Sequence, residues 1–185
     1  MPRVFVGVGS NIEPEQNVRR ALRLLAGKVR IAAISTFYQT EAEGRPGQPA
    51  FYNGVVEMET DSPPAELRHS VLRQIECELG RTRTADKYAP RTIDLDILVY
   101  GELAVQTDDL VIPDPELPRR SFLAIPLFEL APDLILPGSG LALREIAASF
   151  ADHGMKPLPD YTERLRKDMK NGSRESRRTR KRAPG

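Results

Sequence analysis

The segment from Arg91 to Gly101 constrains the fold of this chain more than any other, because its two alternating sets of side chains differ in kind. Side chains of an extended strand point alternately to opposite faces of a sheet. One set is wholly apolar and predicts a face packed on a core: Ile93, Leu95, Ile97 and Val99. The other set contains Asp94 and Asp96, which the alternation places together on the opposite face.

Two neighbouring carboxylates require something that neutralises them. Asp94 and Asp96 are two residues apart, roughly 6.6 Å along a strand, and flexible carboxylates at that spacing can converge on a cation. Like charges side by side on a sheet are unfavourable, so we expect Mg²⁺, arginines or both beside them. An isolated Asp-x-Asp more often marks a solvated strand edge, and here Arg91 would form a salt bridge with its carboxylates. The surrounding sequence has to decide between this interpretation and a functional site.

The composition indicates one globular domain followed by a segment of opposite charge. Of the 185 residues 40% are hydrophobic, which is enough to bury a core. Up to Glu163 there are 24 acidic and 17 basic side chains, and after it 2 acidic and 10 basic ones. We therefore predict a folded domain over residues 1–155 and a basic, disordered tail over residues 156–185, where no apolar period is visible.

Cysteine content and hydropathy suggest a cellular location. Cys77 is the only cysteine, which excludes an internal disulfide framework and agrees with a reducing compartment. Met1-Pro2-Arg3 leads directly into a strand pattern, and no apolar run reaches membrane-spanning length. We expect a cytoplasmic monomer without membrane contacts.

Strand and helix patterns alternate ahead of the aspartate segment. They predict strands at Val4–Gly9, Arg30–Thr40 and Phe51–Thr60, and helices after Pro14 and from Ser62 to Leu79. We interpret Gly7 and Gly9 as points of close backbone approach, because the stretch lacks the third glycine and the Lys-Ser/Thr of a phosphate loop. This order predicts an α+β fold of ferredoxin-like type, with a mainly antiparallel sheet and helices packed on one face.

Two loops border the aspartate segment. Residues 41–50 contain two glycines and two prolines, and residues 80–91 bring Arg81, Arg83 and Arg91 next to the carboxylates. Guanidinium forks beside paired carboxylates suit a polyanion that metal ions hold on its other side, which favours the functional interpretation of Asp94 and Asp96. We expect the loops 41–50 and 81–91 to be mobile before a nucleotide binds and closed afterwards.

The nine-residue string from Pro90 to Leu98, Pro-Arg-Thr-Ile-Asp-Leu-Asp-Ile-Leu, closely resembles the 6-hydroxymethyl-7,8-dihydropterin pyrophosphokinase family. The resemblance covers about Val4 to Ala148 and also takes in Gly9-Ser10-Asn11, Phe37-Tyr38-x-Thr40, Asn53 and Gly80-Arg81-x-Arg83. It implies an ATP- and Mg²⁺-dependent diphosphotransferase of folate biosynthesis. Such an enzyme moves the diphosphate of ATP to the hydroxymethyl oxygen of the pterin and releases AMP.

The resemblance also implies roles for individual residues. Two Mg²⁺ ions would be bound by Asp94 and Asp96, which would act in catalysis together with Arg81 and Arg91. ATP would be contacted by Glu76, Arg81, Arg83, Arg91, Ile97 and Arg120. The pterin would be contacted by Thr40, Glu43, Phe51, Asn53, Tyr88 and Phe122, with the two phenylalanines sandwiching its ring.

The chain departs from the family pattern at three positions. Tyr88 replaces a frequent Trp, Glu41 replaces a common Pro, and Asp114 replaces the usual His. Asp114 would add a negative charge near the triphosphate, so we expect Arg119 or Arg120 to pair with it.

Two other functions remain open at this point. The first is a non-catalytic nucleotide or RNA binder, in which the basic tail contacts RNA or an acidic partner; the central strands lack the aromatic segment typical of RNA-binding sheets. The second is a phosphotransferase for a different hydroxymethyl heterocycle, reached through the changes at Glu41 and Tyr88.

Overall fold

The computed structural model describes residues 1–42, 47–82, 86 and 88–180, without the side chains of residues 172–180. The strands are β1 (Arg3–Ser10), β2 (Arg30–Ile34), β3 (Tyr38–Thr40), β4 (Phe51–Glu59), β5 (Asp94–Tyr100), β6 (Val105–Gln106), β7 (Val111–Ile112) and β8 (Lys156–Pro157). The α-helices are α1 (Pro14–Lys28), α2 (Pro64–Glu66), α3 (Arg73–Glu78), α4 (Ser121–Leu130), α5 (Leu143–Ala148) and α6 (Pro159–Arg180). A π-helical segment (Leu67–Leu72) joins α2 to α3, and a short 3₁₀ helix (Leu117–Arg119) precedes α4.

The main sheet of the described chain is antiparallel and has six strands. Its order is β5-β1-β4-β3-β8, with β2 also paired to β4, while β6 and β7 form a separate hairpin. The chain is therefore a mixed α/β protein with an antiparallel sheet and helices packed against it. Within the described ranges, no helix combines the length and apolarity needed to cross a membrane.

Helices cover both faces of this sheet, so the prediction of helices on one face is wrong. Val6 and Val8 of β1 are buried with Leu22 of α1 on the first face. Phe5 of β1 points the other way and packs with Leu127 of α4. Because α4 and α5 cover only part of this second face, the remainder is open where β1, β4 and β5 lie side by side.

A β-bulge divides the predicted apolar face of β5. Val6 pairs with Ile97 and Phe5 with Val99, so that Leu98 is an extra residue on β5. Leu98 and Val99 both pack on the second face beside Phe5, since a bulge shifts the alternation of the side chains that follow it. The predicted face is confirmed as far as Ile97 and is wrong for Val99.

The segment predicted as one strand over residues 30–40 is interrupted between β2 and β3. The Ser35 hydroxyl accepts a hydrogen bond from the Val55 amide at 2.9 Å, and Phe37 is fully buried. The Phe37 ring lies against Gly54, where an added Cβ atom would be only 2.7 Å from it. The strand breaks because this aromatic ring is inserted into the core.

The predicted domain boundary at residue 155 is also wrong, because the chain beyond it is part of the fold. β8 pairs with β3, and α6 packs against α1. Tyr161, Leu165 and Met169 of α6 are between 0% and 8% exposed and belong to the core. The first part of the predicted disordered tail is therefore an ordered helix.

The strong basic charge of residues 156–185 made the apolar face of α6 difficult to recognise in the sequence. Tyr161, Leu165 and Met169 recur every fourth residue, which is the spacing of one side of a helix. The charged residues between them also make contacts: Asp168 pairs with Arg23 at 3.3 Å, and Arg166 donates to the Ile34 carbonyl at 2.8 Å. A narrow apolar stripe is enough to dock a helix when the opposite face remains in water.

Candidate active site

A pocket of about 520 Å³ lies on the open part of the second sheet face. Its floor contains Gly7 and Gly9 of β1, where missing side chains leave room above the sheet. An added Cβ atom at Gly9 would be 2.7 Å from Oδ1 of Asn53, whereas one at Gly7 would meet methyl groups at 3.3 Å. The interpretation of these glycines as points of close approach is confirmed.

Asp94 and Asp96 both line this pocket, as the alternation predicted. The Asp94 carboxylate forms ion pairs with Arg81 through Oδ1 and with Arg91 through Oδ2. The expected positive partners are therefore present as arginines. Asp94 is only 16% exposed, so these pairs lie in a partly desolvated environment, where they are stronger than surface pairs.

Arg81 is held from behind the pocket by Glu76. The Glu76 carboxylate is buried and accepts hydrogen bonds from Arg81 Nη1 at 2.8 Å and from the Leu95 amide at 2.9 Å. Arg81 also donates to the Ile93 carbonyl at 2.9 Å. Glu76 and Arg81 are thus layered beneath Asp94, and neither lines the pocket itself.

Arg91 is positioned by the turn that follows β1. The Asn11 Oδ1 atom accepts a hydrogen bond from the Arg91 amide at 2.7 Å, and the Asn11 amide donates to the Arg91 carbonyl at 3.1 Å. The Ser10 hydroxyl donates to the Thr92 carbonyl at 2.6 Å. Sequence reasoning assigned no role to Asn11, although the Gly9-Ser10-Asn11 motif marked the position.

The other end of the pocket is polar and partly aromatic, with Glu41 beside Thr40 as a charged lining residue. Phe51, Asn53, Tyr88 and Phe122 line it together with Thr40. The Asn53 Nδ2 atom donates to Thr40 Oγ1 at 2.8 Å, which fixes the orientation of the amide. Tyr88 is 39% exposed at the rim. Five of the six side chains predicted to contact a pterin are therefore brought together.

The loop between β7 and α4 forms a third wall. Asp114, Glu116 and Arg120 all line the pocket. The expectation that Arg119 or Arg120 pairs with Asp114 is not met by the ion pairs seen, since Arg120 Nε contacts Glu116 at 2.9 Å and Arg119 contacts it at 3.3 Å. Burial raises the pKa of Asp114, and the positive charge of Arg68 opposes that shift.

The remaining predicted residues lie apart from the pocket or outside the described chain. Ile97 is 5% exposed and belongs to the core on the first face of the sheet, so it does not line the pocket. Its placement follows from the alternation that points Asp96 to the second face. Glu43 and Arg83 lie outside the described residues.

The electrostatics of Asp96 indicate a surplus of negative charge. Asp96 is exposed toward the open cleft. Desolvation by the surrounding protein, together with the charges of Asp94, Asp114 and Glu76, nevertheless raises the pKa of Asp96 to about 7. Within the described ranges, no three His, Cys, Asp or Glu side chains are grouped as a complete metal site. Two carboxylates fit Mg²⁺ if phosphate and water oxygens fill the other positions, as is common for Mg²⁺ bound with nucleotides.

Comparison with known proteins places these residues in a family. The family model for 7,8-dihydro-6-hydroxymethylpterin-pyrophosphokinase (HPPK) matches residues 5–132. A 2-amino-4-hydroxy-6-hydroxymethyldihydropteridine pyrophosphokinase of Haemophilus influenzae is 36% identical over 161 residues, covering 85% of this chain and 99% of its own length. The protein of that name from Pseudomonas aeruginosa is 38% identical over 160 residues, covering 85% and 97%.

The fold is also similar to that of a solved structure of an HPPK-DHPS in complex with substrates. The TM-score is 0.61 over 83% of this chain and 44% of the other, at 15% sequence identity. This likeness concerns the fold alone.

Proposed function

This chain belongs to the 7,8-dihydro-6-hydroxymethylpterin-pyrophosphokinase family, and we propose that it carries out the family's reaction in the pocket above Gly7 and Gly9. It transfers the diphosphate of ATP to the hydroxymethyl group of 6-hydroxymethyl-7,8-dihydropterin and releases AMP, a step of folate biosynthesis. The observation that carries the assignment to this pocket is that an end with paired aspartates and arginines and an end with aromatic and amide side chains share one cavity.

The charged end, which we call the phosphate end, comprises Asp94, Asp96, Arg91 and Arg120, with Arg81 behind them. Arginine forks recognise phosphate oxygens through two parallel hydrogen bonds. On binding of ATP, Arg91 would exchange part of its contact with Asp94 for the triphosphate. The Asp94 carboxylate would then be available to a cation bound to the same phosphates.

We propose that Asp94 and Asp96 would hold two Mg²⁺ ions together with ATP. When bound, Mg²⁺ supplies charge neutralisation and alignment of the phosphate chain. The raised pKa of Asp96 supports this assignment, because a group of carboxylates that retains a proton near neutral pH is one that a divalent cation stabilises.

The aromatic end, which we call the pterin end, comprises Thr40, Phe51, Asn53, Tyr88 and Phe122, with Glu41 beside Thr40. Phe51 and Phe122 would stack on the two faces of the flat ring, and Asn53 would read its polar edge. Because Thr40 fixes the Asn53 amide, a ring with the wrong donor and acceptor pattern would leave buried polar atoms unpaired.

The reaction follows from holding the two substrates in line. The hydroxymethyl oxygen forms a bond to the β-phosphorus while the bond between the β-phosphorus and the oxygen shared with the α-phosphorus breaks. The hydroxyl proton is released to solvent, and AMP leaves with the former bridging oxygen on its phosphate. Phosphoryl transfer of this kind depends on positioning and charge stabilisation more than on a strong base, which agrees with a pocket of arginines and carboxylates.

We propose that the sheet is of ferredoxin-like type. The order β5-β1-β4-β3 supports this, because in such a sheet two crossover helices connect alternate strands. α1 and the segment from α2 to α3 lie in the two crossover positions.

The test is to incubate the protein with ATP, Mg²⁺ and 6-hydroxymethyl-7,8-dihydropterin and to identify the nucleotide product by chromatography. AMP is expected, and ADP or no product would contradict the proposal. Asp96→Ala is expected to lower kcat about a thousandfold, since several kcal/mol of charge stabilisation depend on the metal-binding carboxylates. The matched control is Asp61→Ala at a side chain that is 75% exposed, which is expected to retain activity.

A further inference from the structure

Glu116 lies on the pocket wall between β7 and α4, and the proposed mechanism gives it no role. Its carboxylate accepts a hydrogen bond from Arg120 Nε at 2.9 Å and another from Arg119 Nη1 at 3.3 Å. We propose that Glu116 is a positioning residue, which orients the Arg120 guanidinium toward the transferring phosphates. This inference rests on the proposed function, because it needs Arg120 to contact ATP.

The backbone around Glu116 gives its carboxylate a fixed base. The Glu116 amide donates to Asp114 Oδ1 at 2.7 Å, which closes a turn at the start of the loop. The next residue, Leu117, is fully buried in the core beneath α4. The backbone that carries Glu116 is therefore anchored on both sides, and its carboxylate, which is 41% exposed, contacts the longer and more flexible Arg120 from a fixed starting point.

Arg120 is a side chain that benefits from such an anchor. An arginine has about 2 kcal/mol of rotamer entropy to lose on binding, and Arg120 is 33% exposed at the pocket wall. Its guanidinium lies 5.9 Å from the centre of the Phe122 ring. Glu116 at the Nε edge and Phe122 beneath the guanidinium therefore restrict it from two directions, at the junction of the phosphate end and the pterin end.

The charge of Glu116 does not make it a competitor for the phosphates. Arg119 and Arg120 both contact the same carboxylate, so the three side chains together carry one net positive charge. Asp114 on the same wall offsets that charge, so what the wall offers a polyanion is an arginine whose orientation is already fixed. Preorganisation of this kind lowers the ordering cost at the moment of binding.

The experiment measures kcat and both KM values for AMP formation in Glu116→Ala, Glu116→Gln, Arg120→Ala and the Glu116→Ala/Arg120→Ala double variant. Loss of a hydrogen bond to a charged group predicts a kcat about tenfold lower in Glu116→Ala, with the pterin KM within about twofold of wild type. Glu116→Gln keeps an oxygen acceptor for Nε and is expected to recover most of the rate. Thermal unfolding of each variant shows whether the fold is retained.

The double variant separates positioning from a general structural effect. If Glu116 acts through Arg120, the double variant is no slower than Arg120→Ala alone. The proposal would be overturned if the fold-loss of kcat in the double variant equals the product of the two single losses. It would also be overturned if Glu116→Ala has a wild-type kcat.

Arg119→Ala is the matched control, because Arg119 contacts the same carboxylate but is 73% exposed. It is expected to leave kcat unchanged, and a loss as large as that of Glu116→Ala would mean that overall charge, rather than orientation, matters. Failure of the proposed function would be distinguishable, since wild type itself would then form no AMP.

Discussion

At the phosphate end Asp94 is already paired with Arg81 and Arg91, whereas at the pterin end the Asn53 amide is fixed by a neutral hydrogen bond to Thr40. The first set is anchored on β5, which lies at the edge of the main sheet, and is backed by the buried Glu76. The second lies on β3 and β4, with its rim formed by the Tyr88 loop. The carboxylates and arginines that are to bind a polyanion must compensate one another before the ligand arrives, and this requires buried supporting contacts. Recognition of a flat ring requires mainly that the contacting side chains are correctly oriented.

This difference predicts that substitutions at the two ends fail in different ways. Damage to the network behind the phosphate end should reduce stability and activity together. Damage to the pterin end should reduce the affinity for one substrate and leave the fold almost intact.

The largest effect is expected for Glu76→Ala. It removes one carboxylate partner of the largely buried Arg81, which keeps Asp94 and the Ile93 carbonyl, and it leaves the Leu95 amide without this acceptor. Breaking a buried ion pair from one side predicts a loss of about 3 kcal/mol in the free energy of unfolding, together with loss of AMP formation. Urea unfolding measures the first quantity.

The control for Glu76 is Glu78→Ala at an exposed position on the same helix, which is expected to change stability by less than about 0.5 kcal/mol. Glu76→Gln keeps an oxygen acceptor and should lie between the two. A Glu76→Ala variant with wild-type stability but lost activity would mean that Glu76 contacts the nucleotide directly, as the sequence resemblance implied.

At the pterin end, Asn53→Ala is expected to raise the KM for the pterin about tenfold to a hundredfold, because the amide is the polar group positioned to read the ring. The KM for ATP should remain within about twofold of wild type, and the free energy of unfolding should fall by about 1 kcal/mol as the bond to Thr40 is lost. Steady-state kinetics with each substrate varied in turn distinguish these effects. An equal rise of both KM values would remove the separation between the two ends.

Gly9→Ala tests the same end through the floor of the pocket. The added methyl group would lie 2.7 Å from Asn53 Oδ1, so the amide must move away from its bond with Thr40. We expect the pterin KM to rise by about five- to tenfold, which is less than for Asn53→Ala because the amide is displaced rather than removed. Gly27→Ala is the control, since nothing lies near its Cβ position on α1.

The sequence was sufficient to predict the residues that repeat with a period or carry a motif. The alternation in β5 predicted which face Asp94 and Asp96 share, and the glycines of β1 were correctly interpreted as points of close approach. Both are local properties of the chain, because strand geometry alone decides them. The same reasoning failed at Val99, since the bulge at Leu98 depends on how β1 pairs with β5.

Long-range contacts account for most of what the sequence could not predict. The docking of α6 needs a groove beside α1 that only the assembled fold provides. The pairing of Glu116 with Arg119 and Arg120 is different, because spacings of three and four residues at a helical turn are a local signal that the expectation for Asp114 overlooked. In α6 an apolar residue at every fourth position was present in the sequence, and the strong basic charge outweighed it in the interpretation.

The smallest effect is expected at Gln48, which connects the surroundings of the two ends. Its Nε2 atom donates to the Tyr88 carbonyl at 2.8 Å, and its Oε1 atom accepts from Asn11, which in turn contacts the Arg91 amide. Because these bonds are partly exposed, each is worth about 1 kcal/mol or less, so Gln48→Ala should lower kcat/KM by about two- to fivefold. If the hydrogen bonds of Gln48 connect the two ends, kcat/KM falls for ATP and for the pterin alike. A loss for the pterin alone would show that Gln48 stabilises only the Tyr88 loop. Gln106→Ala, on the separate hairpin of β6 and β7, is the control and should match wild type for both substrates.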